Sequence, residues 1–166
     1  SVLISSGAAG TAHVPADGSL GDTWSAVGFD DAGWVAVATG VGYDQNATYI
    51  PEFGAGGDLG AALNDVNTSF YLRIPFEVTA AGSVSELILK MKYDDGFVAF
   101  LNGVRVADAN SIDSPIWNSA ATANHADGEA TSFADFDITT QAHLLISGTN
   151  VLAVQGMNDS LTSSDL

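Results

Sequence analysis

The sequence predicts an all-β fold, an antiparallel β-sandwich. Three observations lead there. Apolar and polar residues alternate with a period of two over several stretches, whereas the helical period is scarce. These stretches are short and are separated by turns rich in Gly, Asn and Asp, a spacing typical of sandwiches and barrels. The chain has 166 residues, the length of one domain with room for a real core.

Taken in order, the first third carries Trp24, Phe29 and Trp34 among glycines. Aromatics of that size, each burying roughly 150–250 Å², are expected to plug one end of the sandwich. Residues 40–67 form a long glycine-rich stretch, with mild low complexity at "EFGAGGDLGAAL". In "SFYLRIPFEV" Phe70, Leu72, Ile74, Phe76 and Val78 share one face, and Tyr71, Arg73 and Glu77 the other. Pro75 lacks an amide donor, which predicts an edge or irregular strand.

In "ELILKMKY" Leu87, Leu89, Met91 and Tyr93 face one way and Lys90 and Lys92 the other. Lys90–Ala107 then reads as strand, Asp-Asp-Gly turn, strand, Asn-Gly turn, strand, and Asn102-Gly103 is the strongest short hairpin signal. Residues 110–131 are long and polar with Trp117 alone inside them. Loops of that length in a compact domain are functional or stiffened by ions. A short strand near Phe136, a single turn over 141–145 and a strong strand over 151–157 complete the chain. The expected core is Leu72, Ile74, Phe76, Leu87, Leu89, Met91, Phe97, Ala99, Leu101, Val104, Val106, Val151, Ala153 and Val154.

Composition narrows the function. Twenty acids stand against four bases, a net charge of −16. Nucleic acid is excluded as a partner, because phosphate binding needs clustered Lys and Arg. An anionic membrane is disfavoured for the same reason, and no apolar run is long enough for insertion. The acids are mostly Asp in Gly-, Ser- and Asn-rich loops, a supply of hard oxygen ligands that suits Ca²⁺ as a structural ion; solubility in a saline or extracellular setting accounts for most of them equally well. There is no Cys, hence no disulfide framework, thiolate zinc site or Cys nucleophile. The start, "SVLISSGAAG", lacks the basic region of a signal peptide. The expectation is a mature fragment, residues 1–166, of a larger multidomain protein that is bacterial and secreted or on the cell surface.

Three groups of residues, in this order, carry a family resemblance: "WSAVGFDDAGW" with "GVGYD", "FYLRIPFEV" with "YDDGFVAFLNGVRVADAN", and "LLISGTNVLAVQGMNDSLTSSDL". Together they resemble a galactose-binding-like jelly-roll module, the accessory, carbohydrate-binding-module type of domain found in large secreted bacterial proteins and polysaccharide-degrading enzymes. The resemblance spans nearly the whole chain and implies a jelly roll of about eight strands. In the pattern it follows, the "SSDL" end leads into a last strand, beyond Leu166.

Two adjacent acid pairs invite a chemical reading. Glycoside hydrolysis needs two carboxylates about 5–10 Å apart across a cleft. Asp94 and Asp95 are adjacent, and neighbours on a strand point to opposite faces, so they are not expected to be catalytic. A turn, with Asp bonding local amides and Gly96 taking positive φ, is one reading. The other is ligation of Ca²⁺ or of sugar hydroxyls, implied by similarity to the flocculin-type sugar-binding domain, where an Asp-Asp pair holds both. Asp30 and Asp31 form the second pair and cap a turn or join a calcium site.

Trp117 is either a loop anchor or an exposed platform on which a pyranose stacks, and Tyr49 is a further aromatic contact. Asp95, Asn110, Asn158 and Trp117 are expected to gather at one end of the sandwich as a shallow sugar site. His13, His125 and His143 have no metal-ligand spacing, and neither a G-x-S-x-G elbow nor a phosphate loop occurs. The function these residues predict is a non-catalytic carbohydrate-binding module. The alternative is a structural or adhesive spacer that docks against neighbouring domains.

Overall fold

A computed structural model describes residues 1–166. Eight strands run in the order β1 (Ala9–His13), β2 (Val35–Ala38), β3 (Ser69–Val78), β4 (Ile88–Met91), β5 (Gly96–Leu101), β6 (Val104–Ala109), β7 (Ala134–Asp137) and β8 (Gly148–Met157). Two single helical turns, α1 (Gly60–Leu63) and α2 (Asp127–Ala130), interrupt the long loops. Six strands make one open antiparallel sheet, ordered β2-β1-β3-β8-β5-β6; β4 and β7 make a second, two-stranded sheet.

The principal core lies between the sheets. Leu72 and Ile74 of β3, Phe97 and Ala99 of β5, and Leu152 and Val154 of β8 face Leu89 of β4 and Ile138, with Phe136 packed against them. The stretch 43–63 closes this layer with Tyr43, Leu59 and Leu63. The alternation read from "SFYLRIPFEV" and "VLAVQGM" produces this face, because residues two apart on a strand share a side.

The opposite face of the large sheet is also covered, which the alternation did not predict. Tyr71 and Arg73, on the face opposite the principal core, are each only 3% exposed. Residues 20–34 fold over them: Trp24 stacks on Tyr71 with centroids 3.9 Å apart, and Leu20, Phe29 and Trp34 pack alongside. Arg73 fastens this cover. Its guanidinium donates to the carbonyls of Trp24, Ala26 and Phe29 and pairs with Asp31 at 2.8 Å. Val151 and Ala153, expected in the principal core, belong to this outer aromatic layer instead. The aromatics therefore cover a sheet face rather than plug an end. Val104, also placed in the core, is 47% exposed.

Three local expectations change. Pro75 is not on an edge strand, since β3 lies between β1 and β8; but β1 pairs with β3 only as far as Arg73, so no neighbour on that side needs the missing amide. The Asp-Asp-Gly segment is not a hairpin turn, because β4 pairs with β7 and β5 with β6 and β8. Gly96 does not adopt positive φ; a Cβ there would meet the Asn110 and Ala109 carbonyl oxygens and Ala121 Cβ at 2.9–3.0 Å, so close packing is what requires glycine. The Asn102-Gly103 hairpin forms as expected, with φ of 53° and 89°, the left-handed pair a type I′ turn needs.

Candidate functional site

Because β4 and β5 lie in different sheets, residues 92–95 cross from one to the other. The crossing delivers Asp94 and Asp95 to the end of the sandwich where Ser69, Gly96 and Met157 meet in register. The two carboxylates have opposite surroundings there.

Asp95 is buried and fully engaged. Its Oδ1 accepts from Asn124 Nδ2 and the His125 amide, its Oδ2 from the Asp159 amide, and its carbonyl oxygen from Asn110 Nδ2, all at 2.8–3.0 Å. One side chain thus ties the 110–131 loop to the end of β8. Asn158 is 1% exposed and donates to Tyr43 Oη and the Asp165 carbonyl, and its own carbonyl accepts from the Ala121 amide. Asp95 and Asn110 are bonded directly, and Asn158 is linked to them through the 121–122 backbone, its own Oδ1 buried without a hydrogen-bond partner.

Asp94 has the reverse environment. It is 9% exposed, and its Oδ2 is buried without a hydrogen-bond partner. Carboxylate oxygens of Asp94, Asp127 and Asp165 lie within 4.8 Å of one another. Asp127 opens α2, and Asp165 is positioned by an isolated antiparallel bridge to Asp44. Two unit charges at that separation repel by about 3 kcal/mol at an effective dielectric of ~20, less where Asp127 reaches solvent.

No protein cation offsets this repulsion. Arg73 is paired with Asp31, Lys90 with Asp135, Lys92 with Glu52 and Arg105 with Asp108. Burial pushes the Asp94 carboxyl up to about 7, and the charges of Asp95 and Asp165 add to the rise. Burial also raises Asp165, with Asp127 the largest neighbouring charge.

Tyr49 points at the same three acids. Its ring is 5% exposed and its hydroxyl is a second buried oxygen with no hydrogen-bond partner. Burial first, then Asp94, Asp127 and Asp165, raise its pKa. Tyr49 and Asp94 are near enough to perturb each other, yet they do not meet in hydrogen-bonding geometry. Three hard carboxylates, two orphaned oxygens and no counter-charge make a donor set that can hold a metal ion.

Asp30 and Asp31 are not part of that set. Asp31 Oδ2 accepts from Arg73 and from Thr11 Oγ1 at 2.7 Å, and Asp30 Oδ1 accepts from the Ala32 amide. Asp127 and Asp165 were not singled out by the sequence, because each is an ordinary loop Asp separated from Asp94 by over thirty residues. Only the closure of the end of the sandwich brings them together.

Trp117 lies elsewhere, on the outer face of the large sheet. Its segment crosses the sheet end through Ser69 and Gln155, whose side chains donate to the carbonyls of Ser119 and Ile116. The ring is half-buried against the outer aromatic layer and walls a cleft of about 340 Å³. The floor is Trp24, Tyr71 and Phe100, and the rims carry Asp22 and Asp113. The Asp22 charge, after burial, pushes the Tyr71 hydroxyl up to about 12. No helix is long and apolar enough to cross a membrane.

No family model matches the sequence, and no curated protein matches it. Solved structures do match in fold. A β-glucuronidase of an uncultured Clostridium sp. superposes with a TM-score of 0.54 at 14% identity, over 92% of this chain and 21% of that one. The β-glucuronidase of Ruminococcus gnavus gives 0.56 at 12% identity, over 95% and 22%. A calcium-binding mutant of Bacteroides uniformis β-glucuronidase 2 gives 0.53 at 13%, over 93% and 14%. The chain thus spans about a fifth or less of the enzymes it resembles, and at these identities the likeness is one of fold: an all-β sandwich of the kind that forms one part of β-glucuronidase chains.

Proposed function

We propose that residues 1–166 are a non-catalytic carbohydrate-binding accessory module within a larger, secreted or cell-surface bacterial protein. The observation that carries this reading is the cleft beside Trp117, with an aromatic floor and carboxylate rims. The apolar C–H face of a sugar stacks on the accessible Trp117 ring over this floor, and the rim oxygens accept from its hydroxyls. Trp117 is the principal ligand contact. Asp95, Asn110 and Asn158 serve the site by holding the 110–131 loop that presents it.

Calcium is the ion of this reading, held by Asp94, Asp127 and Asp165 with Tyr49 beside them. Ca²⁺ accepts irregular sets of six to eight oxygens, whereas Mg²⁺ demands a tight octahedron. The part-length match to carbohydrate-processing enzymes supports an accessory role. Asp22 and Asp113, the carboxylates of the cleft, are exposed and have no protein partner to set them as an acid and base pair. A glycan array probed with the domain, with and without chelator, tests the reading. Binding in at least one condition is expected, and hydrolysis of a bound glycan would overturn the non-catalytic assignment.

A second reading is a spacer that docks neighbouring domains. It is favoured by the coverage figures, since the same sandwich recurs as one part of much longer chains. An array without any bound glycan, together with calcium-dependent stability, is its signature.

A further inference from the structure

The charge around the outer cleft says which carbohydrates it accepts. This inference rests on the carbohydrate reading above and adds the ligand class. We propose that the cleft between residues 18–22 and 113–117 selects uncharged glycans and rejects chains of uronic acids or sulfate esters, despite the fold's likeness to β-glucuronidases.

The argument begins with the cations. Recognition of a sugar carboxylate or sulfate calls for a free Arg or Lys, typically a guanidinium making two parallel hydrogen bonds. The cleft contains one basic residue, Arg105. Its guanidinium is mostly committed to the protein: it pairs with Asp108 at 3.0 Å and donates to the carbonyls of Ile112 and Asp113 at 3.2 and 2.6 Å, which leaves no free two-pronged face for an incoming anion. What it does is hold the 113–117 segment in place. The other three bases are paired as well.

The anions are free. Asp22 and Asp113 are exposed on the rims, and neither side chain bonds to the protein. A carboxylate accepts well from neutral hydroxyls, and such charge-assisted bonds are about twice as strong as neutral ones. The same two groups repel an incoming carboxylate or sulfate. The net charge of −16 extends that repulsion beyond the cleft and slows the approach of any polyanion.

The floor fits the same class. Trp24 and Tyr71 are stacked and almost wholly buried, Phe100 meets Trp24 edge-on, and the half-exposed Trp117 supplies the wall. Tyr71 Oη bonds to nothing in the protein and remains available to a hydroxyl. At about 340 Å³ the cleft lies at the small end of ligand pockets, roughly 300–1,000 Å³.

The test compares polysaccharides matched in backbone but not in charge. Hydroxyethyl cellulose is set against carboxymethyl cellulose, galactan against polygalacturonate, with laminarin, galactomannan and alginate added. Affinity electrophoresis with the 166-residue chain at low ionic strength reads the dissociation constants. The expected result is retardation by at least one neutral polymer, with every anionic one at least about tenfold weaker, a difference of about 1.4 kcal/mol.

Trp117→Ala is expected to abolish the retardation, and the double variant Asp22→Asn/Asp113→Asn to weaken it while narrowing the gap between neutral and anionic chains. Both rim residues are exposed, so the double variant stays folded even where Trp117→Ala does not. Equal or tighter binding of an anionic polymer overturns the inference and leaves the carbohydrate reading standing. So does neutral binding that the rim variant leaves untouched. Retardation by none of the polymers overturns the carbohydrate reading and the inference with it.

Discussion

Tyr49 Oη and Asp94 Oδ2 are two buried oxygens at one end of the sandwich, close enough to shift each other's titration, and neither meets a partner in full hydrogen-bonding geometry. Orphaned buried oxygens are rare in native proteins because each forfeits the hydration it had when unfolded. A cation held between Asp94, Asp127 and Asp165 would offset that cost.

The first prediction is thermal. Millimolar Ca²⁺ should raise Tm by about 5 °C or more over chelator, and Mg²⁺ by less. Asp127→Asn and Asp165→Asn should each shrink the rise. Asp94→Asn should abolish it, yet melt no lower than the wild type in chelator, since it removes one of three repelling charges. Differential scanning calorimetry reads the four proteins in each condition; a wild-type Tm indifferent to Ca²⁺ removes the ion from the account.

The second concerns the outer cover. Arg73 is 3% exposed and leans on Asp31, whose side chain is 30% exposed. Breaking a fully buried pair costs about 3–5 kcal/mol; with Asp31 partly hydrated, Asp31→Ala should cost about 2 kcal/mol. Urea unfolding followed by Trp fluorescence reports it, because Trp24 is part of this cover.

The same pair sets an acid limb. Burial pushes the Asp31 carboxyl up, but the bonds from Arg73 and Thr11 outweigh it and leave it below the ordinary value of 3.8. A folded value below the unfolded one stabilises above about pH 3.9 and loses that contribution as pH falls through the folded value. Asp31→Asn should therefore flatten the decline in stability as pH falls below about 4. An unchanged slope would show that other carboxylates govern acid unfolding.

The third concerns the hairpin. Gly103→Val places a β-branched residue at φ of 89°, where steric strain costs about 1–3 kcal/mol. The space itself is not at fault, as a Cβ would meet its nearest neighbour, Ala26, at an ordinary 3.5 Å. Asn102→Ala should cost a similar amount by a different route. The Asn102 amide donates to the Leu144 carbonyl and Asn150 and accepts from the Val151 amide, so its removal unties the hairpin from β8. Denaturant midpoints of the two variants test this directly.

The fourth concerns Gly96. Gly96→Ala should cost about 1–3 kcal/mol through overpacking, since two carbonyl oxygens and the Ala121 methyl must move. It should also weaken the calcium response, because Asp95 and the 110–131 loop move with them. A neutral effect on both would mean that the loop gives way freely.

Much of this was legible in the residues. The alternation over 69–78 and 151–157 marked two strands and the principal core face, because a pleated strand sends every second side chain the same way, although Pro75 pointed to an edge for a strand that is central. Asn102-Gly103 marked its turn, because few other dipeptides accept left-handed φ twice in succession. The excess of Asp over Lys and Arg marked an acidic chain. All of these are local facts, decided within a few residues.

What tertiary structure decided is long-range. Nothing near Arg73 announced that residues 24–31 would fold back to bond it, so a face that reads as polar is in fact a second aromatic layer. The short, weakly patterned β1 and β2 are strands only because β3 offers an edge to pair with. Asp94 and Asp95 are identical in type and adjacent in sequence, yet one carboxylate is held by three donors and the other faces Asp127, Asp165 and a tyrosine hydroxyl. That difference comes from where β8, α2 and the 110–131 loop converge in space, and a carboxylate's role follows from the charges and donors around it, which sequence spacing alone does not encode.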